Sequence, residues 1–477
     1  MNDANRKNEP VTRFAIAGNG LEAWLTANHL LATLGGKRTQ VTVCPVPGSD
    51  ELDELYSIWP ITPADGLASM GLSSNMLIRA CRGSYSLGAR CTDFFRPYGS
   101  IGLDFLGVPF HHHWLRAYRG QAAAGYFDWS PGTVAMKRGL FAPPVPQNAI
   151  GSLQHGMALH IDTGLFTDLL RDRAMRNGAV QSKGSLTNVQ RESNDPKVSG
   201  LTTDNEEFLT ADLYIDCSGQ QKSLTRGRPD AAWVTAPGLE EYRLEVRKTS
   251  TQEPPPPFQQ VTTGPDGWKL DVAGNGWNSS LFVTCSEAGR EGHLASPGYL
   301  AEPWSGNCLA IGVASATFLP VEPLHARYLA ISLKRMIDLM PGVDCRQSET
   351  IEYNKLARVD LREILDLVAA HEFLRKTADN SEFQGVHDSL KTRLALFKKR
   401  GWVTPPDSGF FETTDWVATF MQLGLVPDQP DQLAGRIPPQ VLKTRLAELK
   451  SRIDRTVSGF PTHSDYLLAV KSAAQAR

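Results

Sequence analysis

The chain has 477 residues, which is enough for two or three domains with a substantial apolar core. Its 49 lysines and arginines nearly balance its 51 acidic residues, so the formal net charge of −2 does not indicate binding to nucleic acid or to a membrane surface. No apolar run of about 18 residues predicts a transmembrane helix, and the polar N-terminus lacks the apolar block of a secretory signal. The seven scattered cysteines show no zinc-ligand spacing, so we expect a cytoplasmic protein with reduced thiols and no metal site.

The first half of the chain alternates strand and helix patterns. Residues 1–10 predict a disordered tail. From 11 to 46, an apolar strand, a glycine turn, a helix and a second strand predict a β-α-β opening. The segment 50–150 mixes short helices with turns. A capped amphipathic helix is predicted over 160–180, and a buried strand over 210–220.

The predicted secondary-structure pattern changes twice in the second half of the chain. Strand patterns around a proline-rich loop predict an antiparallel sheet between 225 and 300. Residues 307–342 predict a strand, a loop and a helix, and helical periodicity dominates from 346 to 477.

The glycine turn, Gly18-Asn19-Gly20-Leu21-Glu22-Ala23, follows the first predicted strand and opens the first predicted helix. In a dinucleotide fold the first glycine makes the turn, the second lets the pyrophosphate approach, and the third small residue packs helix on strand. Taken alone, the pattern also fits an ordinary strand-turn-helix. The second strand ends in Cys44-Pro45 instead of an acid for the ribose.

Two later segments favour the dinucleotide interpretation. YIDCSGQ (214–220) fits a strand that ends near the cofactor, and NCLAIGVASATFLP (307–320) fits a strand followed by a glycine and a helix start. FAD enzymes of the glutathione-reductase-like class use such a late strand to bring backbone N–H groups to the phosphates and the flavin. The expected cofactor-binding residues are Gly18, Asn19, Gly20, Leu21, Glu22, Ala23, Asp216, Gly219, Gly312, Val313 and Pro320.

We therefore predict an α/β protein with a glutathione-reductase-like, FAD-binding Rossmann fold over 11–345. An antiparallel substrate-binding sheet, from about 50–150 and 225–300, is inserted in it, and a helical region covers 346–477. A single nucleotide-binding turn is visible, so we expect FAD without a dedicated NAD(P)H domain.

The chain resembles the flavin-dependent tryptophan halogenase family over most of its length. The resemblance is carried by AGNGLEAW, RGSYSLGARCTDFFRPYG, GMALHIDTGLFTDLLRDRAMRNGAV, YIDCSGQ, NCLAIGVASATFLPVEPL and two helical segments, DWVATFMQLGLVPDQPDQ and FPTHSDYLLAVKS. It implies the fold above, reduced FAD, O₂ and a separate flavin reductase or a free reductant.

The expected substrate site departs from this family. The family's lysine, which holds or relays hypohalous acid, falls on Ser86, and no lysine occurs between Lys37 and Lys137. The Trp-x-Trp-x-Ile-Pro signature appears as GWKLDVA, which keeps only its first tryptophan, Trp268. We expect Ser86, Trp268 and Phe318 to line the substrate pocket.

The catalytic glutamate and serine of the family can be matched in two ways. A gapless count from Gly312 puts Glu322 on the glutamate and Pro323 on the serine. Anchoring on Glu-Pro-Leu instead puts His325 and Ala326 there. We prefer the gapless match, in which Glu322 orients or deprotonates the aromatic substrate.

The sequence HHHW offers a second set of proton-transfer groups. Histidine titrates near neutrality, and strand alternation would direct His111 and His113 to one side, so both are candidate catalytic residues. A polar loop with one buried histidine is the competing interpretation.

The missing lysine and altered tryptophan signature resemble halogenase-like monooxygenases of tryptophylquinone biogenesis, as in quinohemoprotein amine dehydrogenase maturation. This implies hydroxylation of an indole or tryptophan by a flavin C4a-hydroperoxide, with a tryptophan residue inside a polypeptide as the preferred substrate. Two alternatives stay open: a halogenase of an indole, pyrrole or phenol, and an inactive flavoprotein that chaperones a partner polypeptide.

Overall fold

The computed structural model describes residues 9–35, 38–62, 66–92, 94–118, 123–144, 155–191, 196–235, 237–264, 266–285, 292–376 and 386–473. Its architecture confirms the predicted α/β fold with an antiparallel sheet and a helical C-terminal region. Among the helices in these ranges, none combines the length and the apolar character needed to cross a bilayer.

A six-stranded sheet forms the first layer. Its spatial order is β20-β21-β12-β1-β2-β8, and all neighbours are parallel except the edge pair β20–β21. Strand β1 (RFAIA) is buried on four of its five residues, as expected for a parallel strand covered on both faces. The strands are β1 (Arg13–Ala17), β2 (Gln40–Cys44), β8 (Val180–Gln181), β12 (Leu213–Asp216), β20 (Trp304–Ser305) and β21 (Cys308–Ala310).

Helix α1 (Leu21–Leu34) starts directly after β1 and is buried from Leu21 to Leu31. It packs against helix α5 (Thr163–Arg176), where Asn28 Nδ2 donates to Leu170 O at 2.7 Å. The glycine turn therefore lies at the carboxyl edge of the parallel sheet.

The second layer is a seven-stranded sheet of order β18-β14-β17-β16-β15-β5-β6, antiparallel apart from the β5–β15 pair. Asn275-Gly276 closes the β16–β17 hairpin, with Gly276 at φ +88°, in agreement with the preference of Asn-Gly for two-residue turns. The strands are β5 (Gly88–Arg90), β6 (Phe95–Pro97), β14 (Tyr242–Ser250), β15 (Gln259–Gly264), β16 (Gly267–Gly274), β17 (Trp277–Cys285) and β18 (His293–Ala295).

Three small sheets complete the described strands, in the orders β11-β10-β9, β13-β19-β22 and β3-β7-β4. These strands are β3 (Ile58–Pro60), β4 (Ser84–Ser86), β7 (Ala158–His160), β9 (Leu186–Arg191), β10 (Val198–Thr203), β11 (Phe208–Leu209), β13 (Trp233–Thr235), β19 (Gly298–Leu300) and β22 (Ala316–Thr317).

The remaining helices, with the exception of α10, contribute side chains to one apolar core that they share with both large sheets. They are α2 (Ser74–Ala80), α3 (Phe110–Tyr118), α4 (Pro131–Arg138), α6 (Leu324–Asp338), α7 (Gln347–Lys376), α8 (Asp388–Arg400), α9 (Thr413–Gln422), α10 (Gln432–Gly435), α11 (Pro439–Ser458) and α12 (His463–Ser472).

Two local predictions were wrong. The expected tail over 1–10 ends earlier, because Pro10 forms a β-bridge with Gly342 and Val343 N donates to Glu9 O at 2.9 Å; residues 1–8 lie outside the described ranges. His111 and His113 lie on helix α3 and not on a strand, since apolar contacts of the whole segment override its weak strand pattern.

Candidate active site

The glycine turn joins three strand ends. Gly18 has φ +137°, and a Cβ there would lie 2.3 Å from the carbonyl oxygen of Cys217, just after β12. Gly18 N donates to Cys44 O, at the end of β2, at 2.9 Å. Only glycine fits this close approach, so the turn is fixed by sterics at the carboxyl edge of the sheet.

The start of α1 faces acceptors from the segment that follows β2. Leu21 N donates to Asp53 Oδ2 at 2.9 Å, and Asn19 N donates to Ser49 Oγ at 3.0 Å. A Cβ on Gly20 would lie 2.8 Å from Asp53 Oδ1. The dipole and the free N–H groups at a helix N-terminus attract negatively charged groups. The start of α1 is therefore a candidate anion-binding site.

The loop after β21 approaches the same region. Gly312 has φ +63°, and a Cβ there would lie 2.2 Å from Glu22 Oε1. Val313 N donates to Glu22 Oε1 at 2.8 Å, and the Tyr56 hydroxyl donates to the same oxygen. The other oxygen, Glu22 Oε2, is buried without a hydrogen-bond partner in the described part of the chain, and Glu22 is 4% exposed.

Both carboxyl groups are hard to ionise. Burial raises the pKa of Glu22 to about 7, against the lowering effect of the hydrogen bonds from Tyr56 and Val313. Burial also raises the pKa of Asp53 well above its ordinary value, and the nearby acids Glu22 and Asp50 add to this shift. The two groups therefore hold protons at pH values where exposed carboxyl groups are fully ionised.

These residues fit the phosphates of a dinucleotide. The N–H groups of Asn19, Leu21 and Val313 are donors of the kind that bind phosphate oxygens at the start of a helix. The side-chain oxygens of Ser49 and Asp53, which accept from Asn19 N and Leu21 N, stand in for those phosphate oxygens.

The other residues predicted to bind the cofactor contact neighbouring loops or are buried. Asp216 accepts hydrogen bonds from Ser218, Leu224 and Thr225. Its carboxylate therefore stabilises the loop that follows its own strand. Gly219, at φ +61°, packs against Ser49. Ala23 and Pro320 are buried.

Glu322 lies in a polar cluster between β6, α7 and α9. Its carboxylate forms an ion pair with Arg96 and lies 3.5 Å from both His371 Nε2 and Thr419 Oγ1. Burial alone would raise the pKa of Glu322, but Arg96 and His371 lower it to about 2. Glu322 is therefore a permanent carboxylate and a weak proton acceptor, which leaves it an orienting role.

Ser86, where the family's lysine was expected, is fully buried at the end of β4. Its hydroxyl donates to Gln259 Oε1 at 2.8 Å, and Gln259 Nε2 donates to the Tyr98 hydroxyl at 2.6 Å. Tyr98 lies two residues beyond Arg96 on the same segment, so the structure brings Ser86 and Glu322 into one polar region. Within the described ranges, no lysine forms a hydrogen bond or ion pair with Ser86, Gln259, Tyr98 or Glu322.

The two aromatic residues expected in the substrate pocket lie in different surroundings. Trp268 lines a small cleft of about 260 Å³, including its open mouth, together with Leu319, Glu372 and Lys376. Phe318 is fully buried, its carbonyl accepts from the Tyr242 hydroxyl at 2.7 Å, and its ring lies 4.4 Å from that of His325. All three side chains are buried, but Trp268 lines this cleft, whereas Phe318 and His325 do not.

The structure does not support catalytic roles for His111 and His113. His111 Nε2 lies 2.7 Å from Gly401 O, and His113 Nε2 lies 3.1 Å from Phe105 O. Burial lowers the pKa of His111 to about 4, so its ring is neutral and serves to join α3 to neighbouring loops.

Several residues of these clusters were not anticipated from the sequence, among them Asp53, Tyr56, Arg96 and Gln259. The acidic run Asp50-Glu51-Leu52-Asp53-Glu54 was a signal for the first of them, since an acidic segment after the second strand can reach the helix start. The other three follow no local pattern.

A sequence profile described as tryptophan halogenase matches residues 13–439. The chain belongs to the tryptophan halogenase family. It is 22% identical to the tryptophan 7-halogenase RebH of Lentzea aerocolonigenes, over 90% of this chain and 92% of that protein.

Solved structures share the fold of this family member. BrvH, a flavin-dependent halogenase from Brevundimonas sp. BAL3, is 23% identical with a TM-score of 0.84, covering 96% of this chain and 99% of that one. MibH, described as a lathipeptide tryptophan 5-halogenase, is 17% identical with a TM-score of 0.78, covering 99% and 95%. At these identities the likeness establishes the architecture alone.

Proposed function

We propose that this family member is a flavin-dependent enzyme that oxidises an electron-rich aromatic ring, with an indole or tryptophan as its substrate class. The observation that carries the proposal is the convergence of the Asn19, Leu21 and Val313 amides at the carboxyl edge of the parallel sheet. The similar BrvH structure is that of a flavin-dependent halogenase, which supports the same cofactor.

In this proposal FAD, reduced by a separate reductase or a free reductant, supplies electrons and activates O₂. The chain's own residues bind and orient. The Asn19 and Leu21 amides and the glycine turn hold the phosphates, and Glu322, fixed by Arg96, orients the polar edge of the substrate. Trp268, at the cleft, contacts the aromatic ring.

Halogenation is the first candidate reaction. RebH and BrvH are halogenases by name, and the family profile covers most of this chain. On this proposal a halide ion is a co-substrate, and the product carries a chlorine or bromine on the ring.

Hydroxylation is the second candidate, and Ser86 favours it. A buried serine bonded to Gln259 cannot form a haloamine, so oxygen transfer directly to the ring is the chemistry that this position permits. A tryptophan inside a polypeptide remains a candidate substrate, since MibH is described as acting on a peptide. The predicted role in tryptophylquinone biogenesis belongs to this second candidate.

Intact-mass analysis separates the candidates. The protein is incubated with reduced FAD, O₂ and chloride or bromide, together with free tryptophan or a tryptophan-containing peptide. A halogen isotope pattern supports halogenation, and a gain of one oxygen atom supports hydroxylation. Anaerobic incubation is the control. If reduced FAD is consumed in air with no modified substrate, the enzymatic proposal is wrong and partner binding replaces it.

A further inference from the structure

We propose that FAD binding to this chain is coupled to proton uptake, with Glu22 and Asp53 as the proton-binding groups. The pyrophosphate takes the place of the Asp53 carboxylate at the start of α1, and Glu22 stays beside it as the neutral acid. This inference rests on the proposed function, because it describes how the same cofactor enters its site.

Asp53 and Ser49 occupy the donors that the phosphates need. Both lie on the segment between β2 and β3, and they accept from Leu21 N and Asn19 N at 2.9 and 3.0 Å. One acceptor oxygen at these amides can be exchanged for another without leaving a buried N–H group unpaired. Binding therefore requires Asp53 to withdraw from Leu21 N, and because this hydrogen bond lowers the pKa of Asp53, its loss favours the neutral acid.

Glu22 cannot withdraw in this way, because it belongs to the first turn of α1 itself. Its Oε1 accepts from Val313 N and the Tyr56 hydroxyl, whereas Oε2 is buried without a partner in the described chain. A neutral carboxylic acid carries a proton on such an oxygen and donates it to a phosphate. An ionised carboxylate at the same place repels the phosphate.

Within the described part of the chain, no cationic side chain pairs with Glu22 or Asp53. Glu22 is faced by Tyr56, Asp53, Asp216 and Cys217, and Asp53 is faced by Glu22, Asp50 and the Thr167 hydroxyl. The hydrogen bonds to the two carboxyl groups within the described ranges come from hydroxyls and backbone amides, with no arginine or lysine among them. A pyrophosphate dianion adds further negative charge to this group.

Protonation relieves that repulsion. Burial raises the pKa of Glu22 to about 7, and a neighbouring dianion raises it further, so the complex binds more protons than the free protein does near neutral pH. The protons come from solvent, and no bond other than O–H forms. By linkage, affinity for FAD falls as pH rises through this range.

Flavin fluorescence titration of the full chain with oxidised FAD tests the inference. We expect the dissociation constant of the wild type to rise at least tenfold between about pH 6 and about pH 8.5, given a factor of roughly ten per pH unit for each proton. E22Q keeps the size of the side chain without its charge, so it should bind FAD more tightly than the wild type at the higher pH and show a smaller pH dependence.

Two further variants complete the design. D53N removes the second charge and should also tighten binding at high pH, which keeps the test valid if E22Q folds poorly. E349Q changes a first-turn acid of α7, remote from the glycine turn, and should titrate like the wild type.

The outcomes separate the two proposals. FAD binding with the same affinity at all pH values, or weaker binding by E22Q at high pH, overturns the proton-coupled inference and leaves the flavin enzyme standing. If neither the wild type nor any variant binds FAD at any pH, the proposed function fails and the inference fails with it.

Discussion

At the residue scale, Glu22 is the most unusual side chain of the site. Most buried carboxyl groups in proteins are paired with a cation or fully hydrogen-bonded, whereas Glu22 is paired with a tyrosine hydroxyl and one backbone amide. Glu322 is the opposite case, because Arg96 keeps it ionised. One chain thus contains a carboxyl group that holds its proton to about pH 7 and another that loses it near pH 2.

The raised pKa of Glu22 makes a stability prediction for the protein without FAD. The unfolded chain releases this proton near pH 4.5 and the folded chain near pH 7, so the unfolded state binds fewer protons between these values and stability falls as pH rises. A shift of about 2.5 pKa units corresponds to about 3 kcal/mol. E22Q should therefore raise the free energy of unfolding by up to about this amount at pH 8 and change it little at pH 4.5.

Urea unfolding of the wild type and E22Q at both pH values measures this difference. E349Q, with its partly exposed carboxyl group, serves as the control and should show no such pH-dependent gain. An E22Q variant that is no more stable than the wild type at pH 8 contradicts the buried, high-pKa state of Glu22.

At the element scale, the start of β15 connects β4 to the segment after β6 through the side chain of Gln259. Gln259 is 5% exposed and bonds to Ser86 on β4 and to Tyr98 after β6, while His160 Nε2 of β7 lies 3.4 Å away. Successive residues of a strand face opposite sides, so the side chain of the next residue, Gln260, is partly exposed and donates to the carbonyl of its neighbour Val261.

This alternation predicts different costs for two similar substitutions. Q259L removes the partner of the buried Tyr98 hydroxyl and one of two acceptors of the Ser86 hydroxyl, the other being Gly88 O, so it should lower the free energy of unfolding by about 1–3 kcal/mol. Q260L is the matched control on the other face and should change it by less than about 1 kcal/mol. Chemical denaturation of the two variants measures both changes in the free energy of unfolding. Equal effects would contradict the hydrogen-bond network assigned to Gln259.

At the scale of the whole molecule, the predicted division into 11–345 and 346–477 does not correspond to separate cores. His371 and Thr419 complete the Glu322 cluster, and Phe141 N donates to Pro461 O at 3.0 Å. Residues from β1 to α12 belong to one apolar cluster. The C-terminal helices are therefore part of the core that supports the site.

A fragment of residues 11–345 tests this view. Without the C-terminal helices it exposes the apolar surface that they cover, so we expect loss of near-ultraviolet circular dichroism and binding of a hydrophobic dye, in contrast to the full chain. A fragment with native-like spectra and a cooperative unfolding transition would show that the first 345 residues fold alone.

The sequence by itself determined the β-α-β opening, the glycine positions and the succession of antiparallel sheet and helices, because hydrophobic period and the steric need for glycine are local properties. The tertiary structure decided which side chains accept hydrogen bonds from the backbone N–H groups of the site. Leu21 N donates to Asp53 and Val313 N donates to Glu22. These partners are 32 and 291 positions apart in the chain, and no local pattern encodes such pairs. For the same reason HHHW was misassigned to a strand: the packing of α3 against distant loops outweighs the preference of a short segment.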